Sequence, residues 1–485
     1  MISGKISRRT FVKGSAFALA FVSMPTLVLG QTIRIRLEWQ EFRNSPQYGS
    51  FYNAIRSMRA NTKSTSPASW RYWTNVHVNY CPHNIAYFLA WHRGYIYYFE
   101  QQLRTISGNS ALTLPYWDYY RSSTIPSEFT DPTSALYIAN RQNTNVYNAL
   151  DLSPFDPSVY NFERGRPDAF ETRIESAPHN PVHNIIGGVM ADMQSPLDPI
   201  FFLHHANIDR LWHAWALPDG KGMPASTASY WSGNFRYASN LTIQRNKTYY
   251  PGWLGYDYAD NSKPTALPPQ AESAPRLIRV QAQGGQMLNR PPVGQFATVP
   301  GRVIAANRRS LGAAQNIGLA DNSVTVQIPL QAADAQTVRD LVSAAKDSSA
   351  PAPASGFQSA KVVLDGVQLT GAGQGGGFFY NVYLNLPESG DVSSSRRQYF
   401  LGTIGAFELA GAAHHGGGTL EYPATAVLGN LEGSDLREIN VSLVRVNGNN
   451  APRGQVMLIK EARLEVSNEE PWDRSTPPPK SGCYC

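Results

Sequence analysis

Six of the ten histidines fall into two separated groups of three, and that pattern is where chemistry is to be sought. The first group is His77, His83 and His92, within Val76-His77-Val78-Asn79-Tyr80-Cys81-Pro82-His83 and Ala90-Trp91-His92-Arg93. The second is His179 and His183 in Pro178-His179-Asn180-Pro181-Val182-His183, joined by one of the pair His204-His205. Three imidazoles twice over describe two nitrogen-only metal sites. Imidazole suits copper, zinc, iron and nickel, and the pairing of two three-histidine sites narrows the choice to copper. A zinc hydrolase would want a glutamate inside the His179–His183 spacing. Asn180 holds that place, so the general base is missing. His204 and His205 point about 100° apart on a helix, so one of them is expected to face a metal. The spacing alone leaves open which.

Such ligands need rigid elements to carry them. From about Gln47 to Trp215 the pattern is mainly helical, and Ile85 to Leu103 mixes aromatic and aliphatic residues on most faces, as a buried bundle helix does. His179 and His183 lie four apart, so one helical face presents both. Asp198 is placed to cap the helix that Pro199 opens. Facing helices of a bundle are a common frame for a buried metal site. Before this region, Thr32 to Trp39 alternates apolar and polar residues and predicts a half-buried strand. After it, Pro264 to Pro275 is rich in Pro, Ala and Ser and predicts a linker. Beyond come short alternating runs at Ser323–Ile328, Ala360–Leu364, Phe378–Leu384 and Ile439–Val444, the signature of a sandwich or barrel.

Bulk properties set outer limits. A chain of 485 residues predicts two or three domains. Its net charge of +6 owes much to Lys5, Arg8, Arg9 and Lys13, and without those four cations it falls to +2. That near neutrality, with no basic run, gives no electrostatic case for nucleic acid. Ser7-Arg8-Arg9-Thr10-Phe11-Val12-Lys13, then the apolar stretch Ala16 to Val22, predicts a twin-arginine export signal over residues 1–30. That stretch is too short for a fixed bilayer span. The expected location is the periplasm or exterior of a bacterium, with no stable membrane anchor. Three cysteines, Cys81, Cys483 and Cys485, cannot make a disulfide framework.

Cys81-Pro82-His83 with His92, then His179-Asn180-Pro181-Val182-His183, then Leu197-Asp198-Pro199-Ile200-Phe201-Phe202-Leu203-His204-His205 running into Asp209-Arg210-Leu211-Trp212, follow in a telling order. Together these blocks resemble the tyrosinases and polyphenol oxidases of the type-3 dicopper family. The resemblance implies two copper ions, held by His77, His83 and His92 and by His179, His183 and His205. It implies O2 and small phenols such as tyrosine and catechols as reactants. The expected activity is ortho-hydroxylation of monophenols and oxidation of o-diphenols to o-quinones. A strict catechol oxidase or o-aminophenol oxidase is the alternative on the same centre, and a haemocyanin-like O2 carrier the alternative of another class.

The same resemblance assigns further roles. Cys81 would form a thioether to His83. Asn180, with Glu175 (Glu171 being the rival position), would orient a water that deprotonates a monophenol. Met193 would gate the second copper. Tyr256-Asp257-Tyr258 would clasp the N-terminal strand through Arg34 or Arg36 by stacking. The implied fold is multidomain: a mainly α-helical bundle core holding the dicopper site, followed by an all-β sandwich-like C-terminal domain. The expected boundaries are 31–260 for the core, 261–285 for the linker, 286–470 for the β-rich domain and 471–485 for a Pro-rich tail ending Cys483-Tyr484-Cys485. The β-rich domain is a candidate to insert a side chain over the site, Gly375-Gly376-Gly377-Phe378 being one loop able to do so. The Cys-Tyr-Cys tail or a separate copper-delivery partner could load the metal, and an oligomer is compatible with the sequence.

Overall fold

The computed structural model describes residues 33–83, 85–166, 168–217, 222–269, 287–346, 355–414, 418–430 and 436–469. The export signal, His415, most of the linker and the Cys-Tyr-Cys tail lie outside the described residues. No helix among the described residues is long and apolar enough to cross a membrane.

The first half is helical. Its principal helices are α1 (Tyr48–Ala60), α2 (Trp70–Tyr80), α3 (Phe88–Ser107), α4 (Phe170–Ile174), α5 (Asn180–Ile186) and α6 (Ile200–Ala216). A single π-turn, Glu175–His179, joins α4 to α5. Helix α6 is buried along its whole length, as a sequence apolar on every face requires. Its start follows the expected logic, because the Asp198 carboxylate accepts from the Ile200 amide at 3.0 Å. One large core cluster runs through this half, with Trp39, Trp91, Phe99, Phe202, Trp212 and Trp215 among its fully buried rings.

The strand expected over 32–39 is shorter. Strand β1 (Arg34–Arg36) pairs in parallel with β2 (Tyr256–Tyr258), and Trp39–Phe42 turns into a short helix capped by the Glu38 side chain. The register sets Arg36 beside Tyr258, and the Arg36 guanidinium lies 3.6 Å from the Tyr256 ring centroid. Arg36 also bonds Glu100 at 2.8 Å, whereas Arg34 Nε donates to the Ser110 carbonyl. The clasp is therefore Arg36, and it ties the two ends of the helical half together.

Besides a two-stranded antiparallel ribbon of Met287–Asn289 with Ser389–Asp391, the second half contains a body of two larger antiparallel sheets. Its strands are β3 (Ala297–Ala305), β4 (Arg308–Leu319), β5 (Val324–Pro329), β6 (Ser359–Leu369), β7 (Phe378–Leu384), β8 (Phe400–Gly405), β9 (Leu420–Pro423), β10 (Glu438–Asn447) and β11 (Met457–Ser467). They order as β9-β6-β11-β4-β3 and β8-β7-β10-β5. A second apolar cluster, with Leu311, Val326, Val362, Phe378, Val441 and Leu464, fills the domain. The four runs picked out by alternation are all strands. Helices α7 (Ala332–Lys346), α8 (Val392–Tyr399) and α9 (Ala406–His414) interrupt the β pattern. Phe379 and Val446 of this half join the core cluster of the helical half, so the two halves share apolar packing.

Candidate metal centre

The helices deliver the histidines to one place. Two groups of buried side chains offer nitrogens within 4.8 Å of one another: His77, His83 and His92, and His179, His183, His204 and His205. The groups also touch. His92 stacks on His205 with ring centroids 4.5 Å apart, and His83 lies 6.0 Å from His179.

Hydrogen bonds fix the ring orientations. The Nδ1 of His77 donates to the Met193 carbonyl at 2.8 Å, that of His92 to the Phe88 carbonyl at 2.8 Å, and that of His183 to the Met190 carbonyl at 2.6 Å. His179 Nδ1 donates to Asn180 Oδ1 at 2.8 Å. A carbonyl accepts only, so each of these rings carries its proton on Nδ1 and presents Nε2 as the lone-pair nitrogen. His83 is held differently, its Nδ1 lying 3.2 Å from Cys81 Sγ. Burial pushes the His92, His179, His204 and His205 imidazoles well below their ordinary range and His183 down to about 3, with the neighbouring imidazoles adding to the effect. They stay neutral, the form that binds metal.

The donor set fits copper. The Nε2 atoms of His92 and His183 are buried with no hydrogen-bond partner among the described residues. A buried polar atom in that condition is costly unless something else takes its lone pair. His179 Nε2 lies 3.3 Å from His205 Nε2. Two nitrogens each about 2.0 Å from one tetrahedral ion sit roughly 3.3 Å apart. Two imidazole nitrogens at that spacing could serve one ion.

Both His204 and His205 lie near the second group, and of the two it is His205 that stacks on His92 of the first. Because α6 is enclosed on all sides, two residues 100° apart both point into protein, and both rings join the second group. His204 stacks on His179 at 5.2 Å, with neither of its nitrogens hydrogen-bonded among the described residues.

A family model for the common central domain of tyrosinase matches residues 50–149 and 126–217, the stretch that carries all seven of these histidines. Over this stretch, about a third of the chain, the sequence is similar to the tyrosinase and polyphenol oxidase family. It is 35% identical over 188 residues to a tyrosinase of Hahella sp. (strain CCB-MM4), covering 31% of this chain and 40% of that protein. It is 25% identical over 358 residues to the chloroplastic polyphenol oxidase B of Solanum lycopersicum, covering 56% of this chain and 60% of that one. The chain thus spans about half the length of these curated relatives. A solved structure of latent apple tyrosinase shares the fold across both halves, with a TM-score of 0.51 at 20% identity over 91% of this chain and 98% of that one. Members of the family hold two copper ions, and the histidines here fit two.

Around the tyrosinase-family histidines, the other expected residues are placed as follows. Asn180 is buried and holds His179. Glu175 is buried and paired with Arg164. Glu171 is fully buried, accepts from the Arg164 and Leu89 amides and lies 3.4 Å from the Tyr230 hydroxyl. Met193 contributes its backbone to His77, and its side chain is packed in the core. His213 is a packed helix residue 3.3 Å from Asp257.

Two residues that the sequence did not single out complete the site. Phe407, at the start of α9, stacks on His183 at 3.9 Å and 11°, and lies 5.2 Å from His83 and 5.6 Å from His179. Glu408 beside it bonds Asn184 at 2.7 Å and Thr403 at 2.6 Å, and is hydrogen-bonded by Asn180. The loop at Gly375–Gly377 instead flanks the site, with the Gly188 amide donating to the Gly375 carbonyl and Phe378 buried in the β-rich half. No local pattern distinguishes Phe407 from the other phenylalanines of a β-rich domain; only the tertiary fold brings it to the histidines.

Proposed function

We propose that this chain is an O2-dependent phenol oxidase of tyrosinase type, hydroxylating monophenols and oxidising o-diphenols to o-quinones. The observation that carries the reading is the meeting of two groups of neutral, buried imidazoles, with ring stacking between His92 and His205. When bound, two copper ions would supply the redox chemistry on O2.

The chain's own residues supply the rest. His77, His83 and His92 would hold one ion, and His179, His183 and His205 the other. His205 is preferred over His204 because its Nε2 converges on that of His179 and its ring reaches the first group. Asn180, oriented by its bond to His179, would place a water for deprotonating a monophenol; Glu175 is the core carboxylate assigned to help it. The His183 ring face, covered here by Phe407, is where a phenol ring would stack. On this reading the form described is a closed one, with Phe407 of the β-rich domain over the position a substrate would take. Residues 1–30 would export the protein.

The Phe407 plug also supports a second reading, O2 carriage with phenols permanently excluded. The deciding experiment is oxygen uptake by the copper-loaded full chain with L-tyrosine and with L-DOPA, before and after Phe407→Ala. Uptake in Phe407→Ala with both phenols supports tyrosinase activity, and uptake with L-DOPA alone makes the protein a catechol oxidase. Adding Asn180→Ala to Phe407→Ala should lower tyrosine turnover more than L-DOPA turnover; equal losses would remove the role given to Asn180. Silence of Phe407→Ala with both phenols, together with reversible O2 binding, would favour the carrier.

A further inference from the structure

The Phe407 ring is apolar and its stacking on an imidazole is weakly directional, so it does not itself explain why the β-rich domain stays seated. The residue that follows His183 does. Asn184 is fully buried and gripped on three sides by the β-rich domain. Its Oδ1 accepts from the Phe407 amide at 2.9 Å, its Nδ2 donates to Glu408 Oε2 at 2.7 Å, and its carbonyl accepts from the Gly377 amide at 2.7 Å. The second Glu408 oxygen accepts from the Thr403 hydroxyl at 2.6 Å, and the Thr403 carbonyl accepts from the Tyr422 hydroxyl at 3.0 Å. Approach this close needs a glycine. A Cβ on Gly405 would lie 2.4 Å from Asn184 Oδ1.

We propose that Asn184 and Glu408 form a polar latch that holds Phe407 over the histidines, and that this pair sets whether the site is covered. The inference rests on the reading of Phe407 as a plug in the proposed phenol oxidase. An asparagine amide offers acceptor and donors at opposite ends, and here one end meets a backbone N–H and the other a carboxylate. Neither leucine nor aspartate at 184 could satisfy both. Because the groups are buried, removing Glu408 strands the Asn184 and Asn180 amides and the Thr403 hydroxyl in the closed state alone, while in the open state water satisfies them. The closed-to-open ratio should fall by about tenfold to a hundredfold.

The test compares the copper-loaded full chain as wild type, Phe407→Ala and Glu408→Ala, by oxygen uptake with L-DOPA. In parallel, amide hydrogen exchange is followed by mass spectrometry on the metal-free proteins. The latch predicts that Glu408→Ala, with its Phe407 ring intact, approaches the activity of Phe407→Ala. It also predicts that the peptide containing the Phe407 amide exchanges about ten times faster or more, while β10 keeps wild-type protection. A Glu408→Ala chain as silent as wild type beside an active Phe407→Ala, or an unchanged Phe407 amide, overturns the proposal. If Glu408→Ala also loosens β10, Thr403→Val and Thr403→Ser decide: only the valine should open the site, and equal behaviour of the two overturns the latch. If Phe407→Ala consumes no oxygen with any phenol, the phenol-oxidase reading fails, and the exchange data still judge the latch.

Discussion

The first group of histidines is held by unlike partners. His77 and His92 are oriented by main-chain carbonyls, but His83 has a thiol sulfur against its Nδ1 edge at 3.2 Å. Cys81 is buried and ends α2, so the Cys-Pro-His turn returns the chain to the site within two residues. That proximity fits a thioether between Cys81 and His83. Forming it removes one hydrogen from sulfur and one from the ring, with O2 at the loaded centre as oxidant. The peptide spanning residues 72–93 from copper-loaded, aerated protein should be lighter by two hydrogens than the same peptide from protein made without copper. Equal masses, with both peptides accepting a thiol reagent, would leave Cys81 a packed thiol. The spacing of six histidines was legible in the sequence because each ligand carries its own chemistry. Met190 was not, and Met193 was singled out for a different role, since both act through carbonyls that any residue supplies.

Among elements, α3 shows how a functional helix is anchored from outside itself. It carries His92 and begins at Phe88 after Tyr87 in a left-handed conformation, with no side-chain cap of its own. Glu171 of α4 reaches across to the Leu89 amide, meeting one of the donors that a helix start leaves over. Burial raises the Glu171 carboxyl from the ordinary 4.5 to about 7. Between those values the folded protein keeps a proton that the unfolded chain has released. This residue's contribution to stability is therefore fullest below about pH 4.5 and declines as the pH rises to about 7, by about 3 kcal/mol. Urea unfolding of the metal-free protein between pH 4.5 and 7 should show it: Glu171→Gln removes this slope, while the opposing slope from the buried histidines is common to both proteins and cancels. Parallel pH profiles would show Glu171 ionised in the fold. Helix α3 and strand β7 were readable from the sequence, α3 as a long run apolar on most faces and β7 as a short apolar run between turn clusters. The shortened β1 was not, because Trp39 and Phe42 found burial in a helical turn that the alternation of 32–39 does not encode.

At the scale of the whole molecule, the order of helical core, connection and β-rich domain could be read from composition and periodicity. The contact between the halves could not. It is made by Asn184 and Phe407, 223 residues apart along the chain, and by Arg396 with Asp151. Such pairs leave no trace in local pattern, whereas the clasp of Arg36 on Tyr256 was half legible, its two candidate arginines being separable only by strand register.

One small feature couples the two metal groups. The carbonyls that orient His183 and His77 belong to Met190 and Met193, three residues apart on a single tight segment that opens with the 3-10 turn Gly188–Ala191. An ion drawing on His183 would tighten its bond to Met190, and the same segment carries Met193, which orients His77 in the other group. A segment shared in this way would act as a gear, filling of one site favouring filling of its neighbour. Native mass spectra of protein given half its copper should then be dominated by empty and doubly filled molecules. A majority carrying a single ion would show that the gear slips.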